Sequence, residues 1–422
     1  MQTYRELFRT PEFTPLFATS CAQVAATTIG SLALATLVYD ATGSPLLSAL
    51  SMFGASFAQV VGAMTLLSAA DRLPPRATTA GLALVFAVGT AVIALPGLPI
   101  WAAFAVLLVL GLAASVGGGV RLGLLTEILP ENGYLLGRSV LNICVGSLQI
   151  VGFAVGAVLV GALSARGTLL TAAALDVAAA AIALLGLRKR APRAAGRPSV
   201  RETWRTNTLI WSSVPRRYVY VAMWVPNGLI VGCEAVFVAY DPDHAGLLLA
   251  AAAAGMLVGD ITAGRFLGPD RRRRLGPFLR LLLAAPYLVF ALRPALPLAV
   301  AAIAIASVGY AATLLLQERL IALTPKPVLG QALGLHSSGM LTMQAVGATI
   351  AGTVAQYTSP AAAMTVMAAA SIAVTLAIAP GLRTPLPATP LPRTPPATKP
   401  STPTEPPAVP EPRPARGAPP RP

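Results

Sequence analysis

The chain has 422 residues, of which 55% are hydrophobic and only 11% are charged, and its mean hydropathy is +0.70. Because soluble domains carry about 25% charged residues, this composition excludes an ordinary water-soluble fold. The net charge of +15 does not indicate a nucleic-acid partner, since the arginines form short clusters between long apolar runs, as the positive-inside rule requires of membrane proteins.

Twelve apolar runs are long enough to cross a bilayer, which takes about 20 residues. Six runs precede a basic stretch at 188–217 and six follow it. The predicted spans are 14–39, 46–70, 78–95, 100–122, 139–163 and 169–187, then 218–240, 245–266, 275–292, 296–320, 332–356 and 361–379. We therefore predict an all-α membrane protein with two bundles of six transmembrane helices, formed by residues 1–187 and 218–383.

Charge predicts the orientation of the chain in the membrane. The basic clusters, with the stretch at 188–217 among them, all fall on one side of the predicted spans, and the loops on the other side hold few and balanced charges. Basic loops face the cytoplasm. We expect a multi-pass protein of the plasma (inner) membrane, in contact with the lipid bilayer and with both termini in the cytoplasm.

The basic stretch at 188–217 has nine basic residues and one acid, Glu202. Ser199 and Glu202 form a capping-box pattern, and Trp204, Thr208 and Trp211 follow at helical spacing. This spacing predicts a short amphipathic helix on the cytoplasmic membrane surface, with tryptophan at the headgroups. A disordered basic linker is the alternative.

The last 39 residues, 384–422, include 16 prolines. Such a segment cannot bury a core, so we predict a disordered cytoplasmic tail rich in polyproline II conformation.

Cysteine and histidine provide no recognisable metal or redox motif. Cys21, Cys144 and Cys233 each lie in an apolar run without C-x-x-C spacing, and we interpret them as small buried residues rather than disulfides or metal ligands. His244 and His336 are far apart in sequence. A Walker A motif is absent, so ATP is not the expected energy source. We expect no cofactor and no metal.

The segment after the second span, LLSAADRLPPR (66–76), contains Asp71, Arg72 and Arg76. It resembles the loop 2–3 signature of the major facilitator superfamily. The resemblance implies two pseudo-symmetric six-helix bundles that move by alternating access, with Asp71 and Arg72 locking the outward-open state. Arg265, in GDITAGRFLGPDRRRR (259–274) after the eighth span, is the counterpart in the second half and supports an internal repeat.

The fifth span contains VGFAVGAVLVG, with Gly152, Gly156 and Gly161. It resembles the glycine motif of antiporters in this superfamily, although Ala157 replaces the proline of that motif. Small residues let two helices approach closely and can form a bending point.

Further segments resemble the drug, macrolide and siderophore exporters of the superfamily. They are YRELFRTPEFTPLF, LVYDATGS, TEILPENGYLLGRSVLN, ERLIALTPKPVLGQALGL and PGLR. This resemblance covers residues 1–383. It implies efflux of a small-molecule substrate, driven by the proton gradient, by a monomer. The mid-membrane arginine of helix four in the superfamily has no counterpart here.

Acidic residues within spans are costly and usually functional. Glu234 is the first candidate for proton coupling, because helix seven lines the cavity in the resembled fold; the alternative is an interfacial acid that reaches water. Asp260 is the second candidate, with an ion pair to Arg265 as the alternative. Asp176 is the third, on helix six, which is peripheral in that fold.

The other cavity candidates are a cation and neutral polar residues. Arg121 would face the inner mouth of the cavity, where it binds anions or pairs with Glu127 or Glu318. The neutral candidates, each of which could instead form a helix–helix hydrogen bond, are Gln23, Gln149, Asn227 and Gln344.

These features together predict a secondary active transporter, not an enzyme, that exports an amphiphilic small molecule such as a drug, an antibiotic or a secondary metabolite in exchange for protons. An importer of the same fold, either a symporter or a facilitator, shares every fold-level feature. A polytopic membrane enzyme or a scaffold acting through the proline-rich tail is the remaining alternative.

Overall fold

The computed structural model describes residues 4–66, 73–191, 200–266, 269–325 and 328–383. Within these ranges the regular structure is helical. Ten segments are long and apolar enough to cross a membrane. One of them, Leu136–Gly186, reverses direction partway and supplies two crossings, and the 29-residue helix Leu329–Tyr357 supplies a further one by its length. The twelve-helix membrane fold predicted from the sequence is confirmed.

The first six crossings form the N-terminal half. A short helix α1 (Tyr4–Arg9) leads into the first crossing, α2, and the second crossing is divided into α3 and α4. The bounds are α2 Phe13–Thr42, α3 Pro45–Phe53, α4 Ala55–Leu66, α5 Pro75–Ile93, α6 Ile100–Ile128 and α7 Glu131–Gly186. Helix α7 packs along α2 and α5, and α4 packs on α6.

Helix α7 contains both the fifth and the sixth crossing. Its 56 residues are interrupted at Ser164, which has a left-handed φ of 71°. A non-glycine residue rarely adopts this conformation, and here it reverses the chain between the two predicted spans. Asp176 therefore lies on the returning arm.

A linker helix, α8 (Val200–Ser212), joins the halves. The helix predicted from the amphipathic pattern is present, and it packs against the C-terminal half. Ile210 is fully buried, and the ring of Trp211 stacks on that of Trp224, 5.7 Å away. The amide of Gln331 also donates to the side chain of Asn207 at 2.8 Å. These apolar and hydrogen-bonding contacts dock α8 onto the C-terminal half; the segment 192–199 lies outside the described residues.

The C-terminal half contains the last six crossings, several of them broken. The seventh is α9 (Val214–Ala235) with α10 (Phe237–Tyr240), and the eighth is α11 (Ala245–Ile261) with the π-helix Thr262–Phe266. The others are α12 Pro269–Leu282 with the 3-10 helix Ala285–Leu292, α13 Leu296–Val308 and α14 Ala312–Leu323 joined by the 3-10 turn Gly309–Ala311, α15 Leu329–Tyr357, and α16 Pro360–Ile378, followed by the 3-10 turn Gly381–Arg383.

The two halves meet through α7 with α11 and through α15 with α3 and α4. One apolar cluster of the described residues joins Leu32 and Ala35 of α2 to Phe237 and Leu248 of the C-terminal half. It lies toward the end of the bundles that carries few charges, which we call the sparse end. The hydroxyl of Ser44 also reaches Oε1 of Gln356 across the halves there, at 2.7 Å.

At the other end, which we call the basic end, the apolar clusters do not mix. The cluster around Phe13 and Leu125 contains only residues of the N-terminal half, and the cluster around Ile210 and Leu320 contains only the linker helix and the C-terminal half. Apolar side chains of the two halves therefore pack against each other at the sparse end, whereas they form separate clusters at the basic end.

Candidate functional site

Glu234 lies in the last turn of α9, inside the C-terminal half. The residue is 9% exposed, and its Oε1 accepts a hydrogen bond of 2.9 Å from the hydroxyl of Tyr310. Tyr287 is fully buried and lies within electrostatic range of Glu234 and beside Ser307. A carboxyl group and two phenols thus form a polar cluster in an otherwise apolar interior.

Glycines bring the helices of this cluster together. Gly228 and Gly232 of α9 face α15, and a Cβ on Gly347 would overlap the carbonyl oxygen of Gly228. On the other side, a Cβ on Gly309 would overlap the backbone of Leu283. The helices can approach this closely only because these positions lack side chains.

Tyr287 and Tyr310 are not among the candidates from sequence. Both lie in apolar runs, where a tyrosine resembles any large core residue. The G-x-x-x-G spacing of Gly228 and Gly232 is a sequence signal for close packing of the seventh crossing, but it does not say which phenol the packing brings to Glu234.

The remaining acidic candidates have no partner among the described residues. Asp260 does not pair with Arg265, whose guanidinium lies 6.0 Å from the centroid of the Phe266 ring. The ion pair between Asp260 and Arg265, which the sequence analysis gave as the alternative, is therefore not formed within the described residues. Asp176 is 6% exposed and has neither a hydrogen bond nor an ion pair within the described part of the chain.

Arg121 is half-buried on α6 and makes no ion pair with any residue that the structure describes. Neither of the predicted partners, Glu127 and Glu318, forms an ion pair with Arg121. Glu127 accepts Arg190 Nε of the linker at 3.2 Å, and Glu318 lines a crevice of about 290 Å³ within the C-terminal half. The neighbour of Arg121 is instead Cys144, within electrostatic range.

The neutral candidates divide into two groups. Gln23, Gln149 and Gln344 are half-buried, and none of their amides hydrogen-bonds to a described residue. Asn227 is 5% exposed, and its Oδ1 is buried without a described partner. A helix–helix hydrogen bond is therefore not formed by these four amides within the described ranges.

The gating candidates are only partly described. Asp71 and Arg72 lie outside the described residues, and Arg76 is half-buried in the first turn of α5. In α7, Gly152 lies against Thr28 of α2, and Gly156 lies against Ile29 and Leu32 of the same helix, whereas a Cβ on Gly161 would meet open space.

The structure brings two of the three cysteines together. Cys21 of α2 and Cys144 of α7 are free thiols whose Sγ atoms lie 2.6 Å apart. Cys233 is fully buried in the other half. We predicted small buried residues without a disulfide; Cys21 and Cys144 are free thiols but only half-buried. The sequence did not predict their contact, because parallel packing of α2 and α7 aligns two positions that are distant in sequence. Three or more potential metal ligands do not cluster anywhere in the described ranges.

An ion cluster at the basic end was also not predicted. Arg190 donates to both oxygens of Glu12, at 2.7 and 3.0 Å, and the backbone N–H of Arg188 donates to Oε2 at 2.9 Å. Burial alone raises the pKa of Glu12, but the hydrogen bonds from Arg190 and Arg188 outweigh it and hold that pKa below its ordinary value of 4.5. The cluster ties the start of the linker to α2 and, through Glu127, to α6.

No protein-family model matches the chain, and no curated protein matches it in sequence. Solved structures match its fold. A variant of the nucleoside transporter NupG is 14% identical, with a TM-score of 0.75 over 88% of this chain and 100% of that one. A POT family transporter in complex with a thioalcohol-conjugated peptide is 12% identical, with a TM-score of 0.70 over 87% of this chain and 95% of that one.

A POT family transporter bound to 5-aminolevulinic acid is likewise 12% identical, with a TM-score of 0.69 over 87% of this chain and 95% of that one. At these identities the likeness concerns the fold alone. Together with the membrane-spanning helices, it shows that this chain is a multi-pass, all-α membrane protein with the fold of these solved transporters.

Proposed function

We propose that the protein is a secondary active transporter, not an enzyme, which exports an amphiphilic small molecule in exchange for protons, and that Glu234 is the group that carries the proton. The observation on which this rests is the buried carboxyl of Glu234, which accepts a hydrogen bond from Tyr310. Its likeness to solved transporters supports transport, and the exporter-like segments of the sequence support efflux.

The environment of Glu234 suits reversible proton binding. A neutral carboxylic acid is tolerated in the apolar wall of the bundle, and the Tyr310 hydroxyl stabilises the carboxylate when the proton leaves. In the proposed cycle, Glu234 takes a proton while the sparse end is open and releases it while the basic end is open. The substrate moves the opposite way.

Arg121 is the proposed cation for an acidic group of the substrate. It is half-buried, and no described carboxylate neutralises it. A guanidinium in this setting binds carboxylates and phosphates through paired hydrogen bonds. Gln23 and Gln149, on crossings next to α6 in the same half, are the proposed neutral contacts.

Import by the same fold is the second candidate. The similar structures are a nucleoside transporter and POT family transporters in complex with a conjugated peptide and with 5-aminolevulinic acid. These ligands are small polar solutes, and an importer of such a solute would also use Glu234 for proton coupling.

The first experiment measures conformation, because it needs no substrate. Spin labels at Asp40→Cys and Tyr357→Cys, two exposed positions at the sparse end, are introduced with the native cysteines changed to serine. In liposomes, the fraction of molecules with a long label distance should depend on pH. Glu234→Gln should remove this dependence, while Asp176→Asn, the matched change of a buried acid, should keep it. An unchanged pH dependence in Glu234→Gln would reject Glu234 as the coupling group.

The second experiment measures direction. Proteoliposomes with an imposed pH gradient are tested with the amphiphilic anion taurocholate, uridine and alanyl-alanine. Export predicts that taurocholate moves against the proton flow and that Glu234→Gln slows it by at least about tenfold. Gradient-driven uptake of uridine or alanyl-alanine with the protons, without taurocholate movement, would replace export by the import alternative.

A further inference from the structure

Cys21 and Cys144 form a thiol pair in the N-terminal half that the proposed transport cycle does not use. Their Sγ atoms are in contact at 2.6 Å, and both side chains are partly exposed. Cys233 provides the contrast within the same chain. It is fully buried, and its Sγ lies 3.5 Å from the carbonyl oxygen of Met364.

The pairing of the two thiols follows from helix packing rather than from a flexible contact. Helix α2 and the arm of α7 before Ser164 both run from the basic end toward the sparse end. Farther along the same interface, Gly152 lies against Thr28 and Gly156 against Ile29. These close approaches hold the two helices in one register, and that register sets Cys21 opposite Cys144.

Arg121 of α6 lies within electrostatic range of Cys144 and makes no ion pair with a described residue. A cation beside a thiol stabilises the thiolate that forms during nucleophilic attack. No described carboxylate contacts either sulfur.

We infer that Cys21 and Cys144 are a redox-modification site that closes to a disulfide in reaction with a small-molecule disulfide of the glutathione class. One protein thiolate attacks a sulfur of the reagent, which forms a mixed disulfide and releases one reagent thiolate. The other protein thiolate then attacks the protein sulfur of that mixed disulfide and releases the second reagent thiolate. Two protein thiols are oxidised, one reagent disulfide is reduced, and the two protons end on the two released thiols.

The bond would join α2 to α7 beside Arg121. It closes a long stretch of chain, which constrains the unfolded state strongly. It would also fix two of the N-terminal helices that meet the C-terminal half, since Leu32 of α2 belongs to the shared apolar cluster and Ala157 of α7 lies against Gly246 of α11.

The test uses the purified full chain in detergent. After treatment with millimolar glutathione disulfide, the unfolded wild type and Cys233→Ser should each lose two titratable thiols. A non-reduced digest should contain a peptide that links Cys21 to Cys144. The linked peptide should be absent from Cys21→Ser and from Cys144→Ser, and the oxidised wild type should unfold at a higher temperature than its reduced form.

The variant Arg121→Gln tests whether the charge of the guanidinium speeds disulfide formation beyond the effect of the closeness of the two thiols. With unchanged helix content, this variant should form the same linked peptide at least about threefold more slowly. Retention of all three thiols in the treated wild type would overturn the site, as would a linkage between two chains instead of within one. An unchanged rate in Arg121→Gln would overturn the role of the guanidinium.

Discussion

Glu234 and Asp176 are two buried carboxyl groups, one in each half, with exposures of 9% and 6%. They differ in what surrounds them. Glu234 has the Tyr310 hydroxyl at 2.9 Å, whereas Asp176 has no hydrogen-bond donor among the described residues. Burial by itself therefore does not distinguish the two acids; the hydrogen-bond donor at Glu234 does.

The difference in hydrogen bonding changes the free-energy cost of burying each carboxyl group. Moving a carboxyl group into an apolar interior without a partner is costly, and a hydrogen bond offsets part of that cost. In the C-terminal half, the hydroxyl of Tyr310 is such a donor for Glu234. In the N-terminal half, Glu12 is a well-partnered acid, but it lies at the basic end and outside the membrane span.

The largest expected effect comes from replacing each buried acid by an apolar residue of similar size. Asp176→Val should raise the free energy of unfolding by about 1–3 kcal/mol, because it removes an unpartnered polar group. Glu234→Met should not stabilise, because it leaves the hydroxyl of Tyr310 without its acceptor. Detergent-solubilised variants are compared by chemical unfolding at neutral pH. Equal stabilisation by Asp176→Val and Glu234→Met would show that the hydrogen bond from Tyr310 does not distinguish the two acids.

A smaller effect is expected from Tyr310→Phe, which removes only the donated hydrogen bond. The free energy of unfolding should fall by about 1 kcal/mol. Combined with Glu234→Met, the loss should be less than the sum of the two single losses. Tyr357→Phe, at a residue that is 84% exposed, is the control and should change nothing. Full additivity of Tyr310→Phe and Glu234→Met would mean that the two side chains do not interact.

The smallest effect concerns Glu12. Because its pKa in the folded protein lies below 4.5, its ion cluster stabilises the fold above that pH and loses this contribution as the pH falls further. Glu12→Gln should cost about 0.5 kcal/mol at neutral pH and should weaken the loss of stability on acidification. Unfolding curves from neutral pH to below pH 4 measure both; an unchanged acid response would show that Glu12 does not contribute to it.

Much of the architecture could be predicted from the sequence. The apolar runs predicted twelve crossings because a bilayer sets a minimum length for a helix, and that length is visible in any window of the chain. The break near Ser164 was also anticipated, since residues around Arg166 interrupt the apolar pattern. Glu234 and Asp176 could be singled out because charges within a span are rare.

Contacts between distant residues could not be predicted in this way. The pairing of Asp260 with Arg265 fails because nearness in sequence is not nearness on a helix surface. The linker helix was anticipated, but its docking through Trp211 depends on rings of the C-terminal half that its own sequence does not reveal.

By itself, the sequence determined the membrane environment, the number of crossings and the short set of charged residues within them, because hydrophobicity and length act locally. Only the tertiary structure decided which of these residues have partners. Tyr310 reaches Glu234, and Cys21 reaches Cys144, through the register of packed helices. That register is set by close contacts between residues that are far apart in the chain, and no local pattern encodes it.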